Sequence, residues 1–186
     1  MASSVNALQG SSYEGYVAVR EIGPLGMITL RGSPTDLANP LQVNLGLRLP
    51  GPRKIETAGE RSAAWMSPDE FMVILPHHEV DRTLAALHKD LKGKHFLTVD
   101  VSDARAVFTI CGARAREVLA KLCPVDLSPA AFQPGDLRRT RAAQVAAAFW
   151  ISGPDEFTLV GFRSVAQYIF ALLQASAMPG GEVGLY

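Results

Sequence analysis

Charge is scarce in this sequence. Only 19% of its 186 residues are Asp, Glu, Lys or Arg, and 18 bases balance 18 acids. A zero net charge argues against a dedicated nucleic-acid binder, which draws its affinity from a basic excess. Cysteine is rarer still. Cys111 and Cys123 cannot build a disulfide framework, and each lies in an apolar stretch where a free thiol behaves as a small buried hydrophobe. No apolar run reaches the ~20 residues that span a bilayer. Residues 1–15 lack both the basic start and the apolar stretch of a secretory leader, so a cytoplasmic protein is expected. No Gly-x-Gly-x-x-Gly follows a strand and there is no phosphate loop, which leaves no usual cradle for a flavin or nucleotide. His77 and His78 adjoin in a loop, His88 and His95 stand alone, and no spacing of His, Cys and carboxylates suits a metal.

What is present is a large apolar fraction, 48%, enough for a substantial core. Residues 1–15 read as a flexible polar tail, and 179–186 as a second tail. Tyr16–Ile22 and Met27–Arg31 are β-prone. Ser33-Pro34-Thr35-Asp36 reads as a helix start, with Ser33 as cap and Pro34 in the first turn. Pro40 predicts that this helix is short or kinked. Residues 50–60 read as a loop. Strands follow at 62–66 and 71–75, joined through Ser67-Pro68-Asp69-Glu70 as a hairpin loop longer than two residues. Val80, Leu84, Leu87 and Leu91 then form one stripe of an amphipathic helix.

The second half repeats this order. Phe96–Val101 and Arg105–Cys111 are strands, and Gly112 opens a helix carrying Ala115, Val118, Leu119 and Leu122. After a proline-punctuated loop come an arginine-rich strand from Leu137, a buried strand to Ile151, a turn, and Phe157–Val160. The last helix carries Val165, Ile169, Leu172 and Ser176 on one line. Trp65-Met66-Ser67-Pro68-Asp69-Glu70-Phe71 parallels Trp150-Ile151-Ser152-Gly153-Pro154-Asp155-Glu156-Phe157, and Ile28–Gly32 parallels Phe108–Gly112. The halves are therefore read as an internal duplication. The expected class is α+β: two pseudo-equivalent ferredoxin-like lobes, 16–94 and 95–178, with mostly antiparallel sheets about a pseudo-twofold axis.

Asp100-Val101-Ser102-Asp103-Ala104-Arg105, the strand into Cys111-Gly112, Leu122-Cys123-Pro124-Val125-Asp126-Leu127, Pro134-Gly135-Asp136 and Arg138-Arg139-Thr140 carry a resemblance. They are similar to the folate-binding half of the aminomethyltransferase (glycine-cleavage T-protein) superfamily, and within it to the gamma-subunit family of heterotetrameric sarcosine oxidases. The resemblance runs from about Met27 to Ala177. It implies a subunit of a cytoplasmic oxidoreductase complex. Such a complex demethylates sarcosine to glycine, releases hydrogen peroxide and passes the one-carbon unit to tetrahydrofolate. It implies FAD, FMN, NAD and tetrahydrofolate on partner subunits, with none in this chain. The implied partners are alpha, beta and delta subunits, alpha in direct contact, with no nucleic acid and no membrane.

The residues are read as non-catalytic, with no catalytic, cofactor-binding or metal position assigned. The transferases place a carboxylate on the strand facing folate, and Gln144–Phe149 has none. Asp103 is read as turning the chain, Glu70 and Glu156 as hairpin residues, and Trp65 and Trp150 as core anchors. Tyr13, Tyr16, Arg139 and Arg141 are the expected interface residues, because tyrosine and arginine are favoured where subunits meet. Alternation puts Arg139 and Arg141 on one strand face and Arg138 on the other. A stand-alone folate-binding module is the alternative reading, and an independent enzyme the third.

Overall fold

A computed structural model describes residues 5–186. Residues 1–4 of the expected tail lie outside the described residues. Two compact units form: one joins the chain up to Gly23 to Asp103–Tyr186, and the other is Pro24–Ser102.

The chain begins with β1 (Ser12–Glu14) and β2 (Ala18–Ile22), paired antiparallel with Tyr13 opposite Val19. Gly23 then leads into the Pro24–Ser102 unit. This unit contains β3 (Leu25–Gly32), α1 (Pro34–Leu45), β4 (Ile55–Ala58), β5 (Arg61–Ser67), β6 (Glu70–Pro76), α2 (Val80–Asp90) and β7 (Phe96–Asp100). Its antiparallel sheet has the order β4-β5-β6-β3-β7. Leaving out β4, that is the ferredoxin-like strand-helix-strand-strand-helix-strand unit. Ile28 and Leu30 of β3, Leu37, Leu41 and Leu45 of α1, Phe71, Val73 and Leu75 of β6, and Val80 and Leu87 of α2 make its core.

The other unit adds β8 (Arg105–Cys111), α3 (Ala115–Leu122), β9 (Leu137–Ala142), β10 (Val145–Gly153), β11 (Glu156–Phe162) and α4 (Ala166–Ser176). Its sheet order is β1-β2-β8-β11-β10-β9, again antiparallel throughout. Phe108, Phe149, Phe157 and Phe132 meet at its centre, with Phe132 stacked on Phe157 at 6.0 Å.

The unit boundaries differ from the 16–94 and 95–178 lobes expected from sequence. The strand at 96–100 completes the first sheet and the strand at 18–22 completes the second. Five residues connect α2 to β7, a span that returns a strand to the edge beside β3, as in a split β-α-β unit. The place of each strand ahead of its half does not say which sheet it joins. Residues 5–15 are not a loose tail either. They supply β1, and the Glu21 carboxylate accepts the Leu8 N–H at 3.0 Å and the Gly10 N–H at 2.9 Å.

Five local expectations also change. Both hairpins close with two-residue turns, Pro68-Asp69 and Pro154-Asp155, because a β-bulge at Met66 in one and Ser152 in the other absorbs the extra residue. α1 runs twelve residues straight through Pro40, whose ring is buried beside Leu37 and Leu41, so packing offsets the lost hydrogen bond. Ser33 caps α1 with its carbonyl, which takes the Asp36 and Leu37 N–H groups, while its hydroxyl pairs with Thr35. On α4 the buried line is Ala166, Ile169, Phe170 and Leu173, one residue round from the expected stripe. Residues 55–58, expected in a loop, form edge strand β4.

Thr98 of β7 is 8% exposed and its Oγ1 is buried without a hydrogen-bond partner. Leaving a hydroxyl unsatisfied costs more than the group returns. Thr98→Val keeps the branched shape a strand prefers. It should raise the free energy of unfolding by about 1 kcal/mol. An unchanged or lower urea midpoint would refute this.

Candidate functional site

The duplicated motif produces the same device in each unit. In the Pro24–Ser102 unit, β3 ends at Gly32, whose N–H donates to the Asp69 carbonyl of the hairpin turn at 3.1 Å. In the other, β8 runs into Gly112, whose N–H donates to the Asp155 carbonyl at 2.8 Å. Gly32 has φ +157 and Gly112 φ +142, a region that side chains rarely enter, so glycine recurs at both corners. Ser67 hydroxyl binds Asp69 at 2.8 Å, and Ser152 hydroxyl binds Glu156 at 2.8 Å. Glu156 is thereby held as a hairpin residue.

The corners differ in what lies beside them. At Gly32 an open hollow of about 640 Å³ is lined by Arg31, Ser33, Asp69, His95, Phe96 and Leu97. Arg31 spends its charge on Asp69 at 2.9 Å, which holds that carboxyl below the usual range. At Gly112 the hollow shrinks to about 60 Å³. There Arg116 lies over the Phe157 ring and donates to the carbonyls of Leu127 and Phe132 at 2.8 and 3.0 Å.

β10 carries Ala146, Ala147 and Ala148 in a row and no carboxylate. Ala147 and Phe149 face the helices, and Ala146, Ala148 and Trp150 the other side of the sheet. Trp150 is buried at 7% and Trp65 packs partly buried against its own unit's core, so both serve as apolar anchors. Burial pushes the Cys123 thiol up to about 12, far from a nucleophile's range. Asp100 accepts the Ser102 N–H at 2.9 Å and begins the short turn containing Asp103. Among the described residues no three His, Cys, Asp or Glu side chains group to hold a metal ion. Among them, too, no helix is long and apolar enough to cross a membrane.

Of the four expected interface residues, the structure separates two from the other two. Arg139 and Arg141 are exposed on the edge strand β9, on the same face as Ala148 and Ala146 opposite them. Arg138 takes the helix side, over Phe132 at 5.1 Å, and binds the Ala131 carbonyl. Tyr13 and Tyr16 are instead half-buried against their own unit's core. Tyr16 donates its hydroxyl to the Ser176 carbonyl and accepts from Lys121 Nζ, each at 2.8 Å. Both are held by contacts within their own unit.

Two buried carboxylates were invisible to sequence reasoning. Glu21, 6% exposed, gathers the N–H groups of residues 8 and 10. Glu117, 1% exposed on α3, accepts the Val183 N–H at 2.6 Å, with Lys121 Nζ 3.7 Å away. The only sequence signal for either was an acid inside an apolar segment. The Val183 N–H holds the Glu117 carboxyl below the ordinary glutamate range, against the effect of burial. A depressed folded pKa means that this clamp stabilises fully above the unfolded value and weakens as pH falls through the folded one. The Val183 amide shift should therefore titrate with a midpoint below that of an ordinary glutamate. A midpoint at or above that value would show that the clamp does not favour the charged form.

Two antiparallel sheets, each flanked by two helices and repeating one strand-Gly-helix corner, define the class: an α+β protein. The glycine cleavage system aminomethyltransferase T from Bartonella henselae superposes with a TM-score of 0.57 at 15% identity, over 82% of this chain and 44% of that one. A chain of the heterotetrameric sarcosine oxidase from Corynebacterium sp. U-96, solved with pyrrole 2-carboxylate, superposes with a TM-score of 0.83. That match has 22% identity over 94% of this chain and 91% of that one. Residues 31–178 match the Sarcosine oxidase, gamma subunit family. The sarcosine oxidase subunit gamma of Arthrobacter sp. is 32% identical over 154 residues, 81% of this chain and 75% of that one. The subunit gamma of Corynebacterium sp. strain P-1 is 28% identical over 166 residues, 87% and 80%. The chain belongs to the gamma subunit family of sarcosine oxidase.

Proposed function

We propose that this chain is a non-catalytic structural subunit of a heterotetrameric sarcosine oxidase. The enzyme would demethylate sarcosine to glycine with release of hydrogen peroxide and pass the one-carbon unit to tetrahydrofolate. FAD, FMN, NAD and folate would be held by its larger alpha and beta subunits, with a small delta subunit completing the assembly in the cytoplasm. Membership of the gamma family supports this reading. The observation that carries the structural role is β10, where Ala146, Ala147 and Ala148 stand on the strand that bears a carboxylate in the transferases. Arg139 and Arg141, exposed together on β9, are charged positions suited to contact with the alpha subunit.

Co-expression of all four subunits with a tag on this chain tests the reading. The tagged chain should bring down the flavin-bearing subunits with peroxide release from sarcosine, and alone be colourless and inactive. A flavin spectrum or peroxide release from the isolated chain would overturn the non-catalytic role. Failure to retain any other subunit would overturn the assembly role.

A further inference from the structure

Sheet edges expose unpaired N–H and C=O groups, and proteins protect them with short strands, charges, prolines or a cover. Three of the four edges here are protected. β1 is three residues long and its Glu14 pairs with Arg20 at 2.7 Å. β4 is four residues long and its Glu56 pairs with Arg48 at 2.9 Å. β9 carries Arg138, Arg139 and Arg141. β7 does none of this. It reads Phe96-Leu97-Thr98-Val99-Asp100, with no charge before its last residue, and Leu97 and Val99 are 48% and 40% exposed.

The ladder shows which groups are open. Val101 N–H donates to the Met27 carbonyl at 2.8 Å, and Thr29 and Arg31 oppose Val99 and Leu97. Antiparallel pairing alternates, so Leu97 and Val99 bond to β3 while Phe96, Thr98 and Asp100 aim their backbone groups outward. Leu97 and Val99 share one sheet face, and Leu97 also lines the hollow beside Gly32.

We propose that β7 pairs with an extended segment of a neighbouring subunit of the oxidase, one that carries an acidic residue beside alternating apolar side chains. The proposal rests on the reading of this chain as a subunit of that assembly. Main-chain bonds to Phe96 and Thr98 would supply affinity, and Leu97 and Val99 the apolar contact. The acid is called for by charge. Exposed Lys92, Lys94 and His95 lead into β7, with Arg31 across the ladder, and only Lys94 and Arg31 have carboxylate partners here, Asp36 and Asp69. A second copy of this chain fits less well. Pairing β7 with itself would bring these bases toward Asp100, whose Oδ1 already accepts the Ser102 N–H and hydroxyl at 2.9 and 2.5 Å.

The test uses the co-expressed oxidase with this chain tagged. Leu97→Lys combined with Val99→Lys changes two exposed side chains, so the isolated chain's thermal midpoint should hold. Retention of the other subunits should fall by about tenfold or more, because the lysines would be buried unpaired. Lys92→Glu with His95→Glu should weaken retention several-fold at low salt. Amide exchange on the unmodified protein needs no variant: Phe96 and Thr98 should slow on assembly. Undiminished retention by the lysine variant, or unchanged exchange at both amides, overturns the pairing. So does an isolated wild-type dimer abolished by the lysines, which would make a second copy the occupant. A wild-type chain that retains no subunit at all fails the functional reading itself, and the pairing with it.

Discussion

Deleting residues 1–15 will destabilise the isolated chain by about 4 kcal/mol, enough to remove a large share of an ordinary domain's stability. Composition alone marks this segment as a dispensable tail; the structure reverses that expectation. Glu21 is 6% exposed and its carboxylate is satisfied by the backbone N–H groups of Leu8 and Gly10. Hydrogen bonds to a charged group are worth roughly 1.5–3 kcal/mol each. Ala7, Leu8 and Tyr13 also pack against the core of their unit, and β1 pairs with β2 over three residues. Truncation removes all of these together and turns β2 into an edge. Arg163, which donates to the Val5 carbonyl at 2.7 Å, loses its partner as well. The measurement is a urea titration of the purified truncated chain. A loss below about 1 kcal/mol would mean that the segment is held by too little to matter.

Gly15→Ala is the second large effect, expected to cost roughly 3 kcal/mol, the upper end for overpacking a site that cannot relax. A Cβ at Gly15 would collide with the Ala177 carbonyl oxygen and stand 2.8 Å from Tyr13 Cε1. The ring could turn aside. The carbonyl cannot, because it accepts the Tyr16 N–H at 3.0 Å and ends α4, where Ala177 N–H is bonded back to Leu173. The neighbouring Tyr16 hydroxyl is tied to the Ser176 carbonyl, so a shift in one contact disturbs the other. Gly10→Ala is the control. It meets no atom within 4 Å but has φ +78, and should cost only about 1 kcal/mol from backbone strain. Equal losses for the two variants would show that the close approach at Gly15 is not what requires glycine.

Much of this architecture was legible because it depends on local pattern. The Trp-to-Phe segments at 65–71 and 150–157 mark the two hairpins, and glycines 32 and 112 mark two corners that need a positive φ. The stripes of α2 and α3 and the alternation of Arg138 against Arg139 and Arg141 follow from the helical and strand periods, and the structure places them so. Each of these is decided by residues a few positions apart.

What sequence could not decide were choices made by partners far along the chain. The strands at 18–22 and 96–100 each precede one half, and only pairing with β8 and β3 assigns each to its sheet. Twelve-residue α1 passes through Pro40 because burial beside Leu37 and Leu41 compensates locally, which no propensity scale contains. Nothing local marks Glu21 and Glu117 as buried; backbone N–H groups from residues 8 and 10 reach the first, and that of residue 183 reaches Oε1 of the second, whose Oε2 has no partner. Only the fold brings the end of α4 to Tyr16, whose hydroxyl donates to the Ser176 carbonyl. Local sequence determined the elements and their faces, since dihedral preference and side-chain period act over a few residues. Tertiary structure alone decided which edges are closed, which carboxylates are buried and that β7 is left open, because those depend on contacts that close only when distant segments meet.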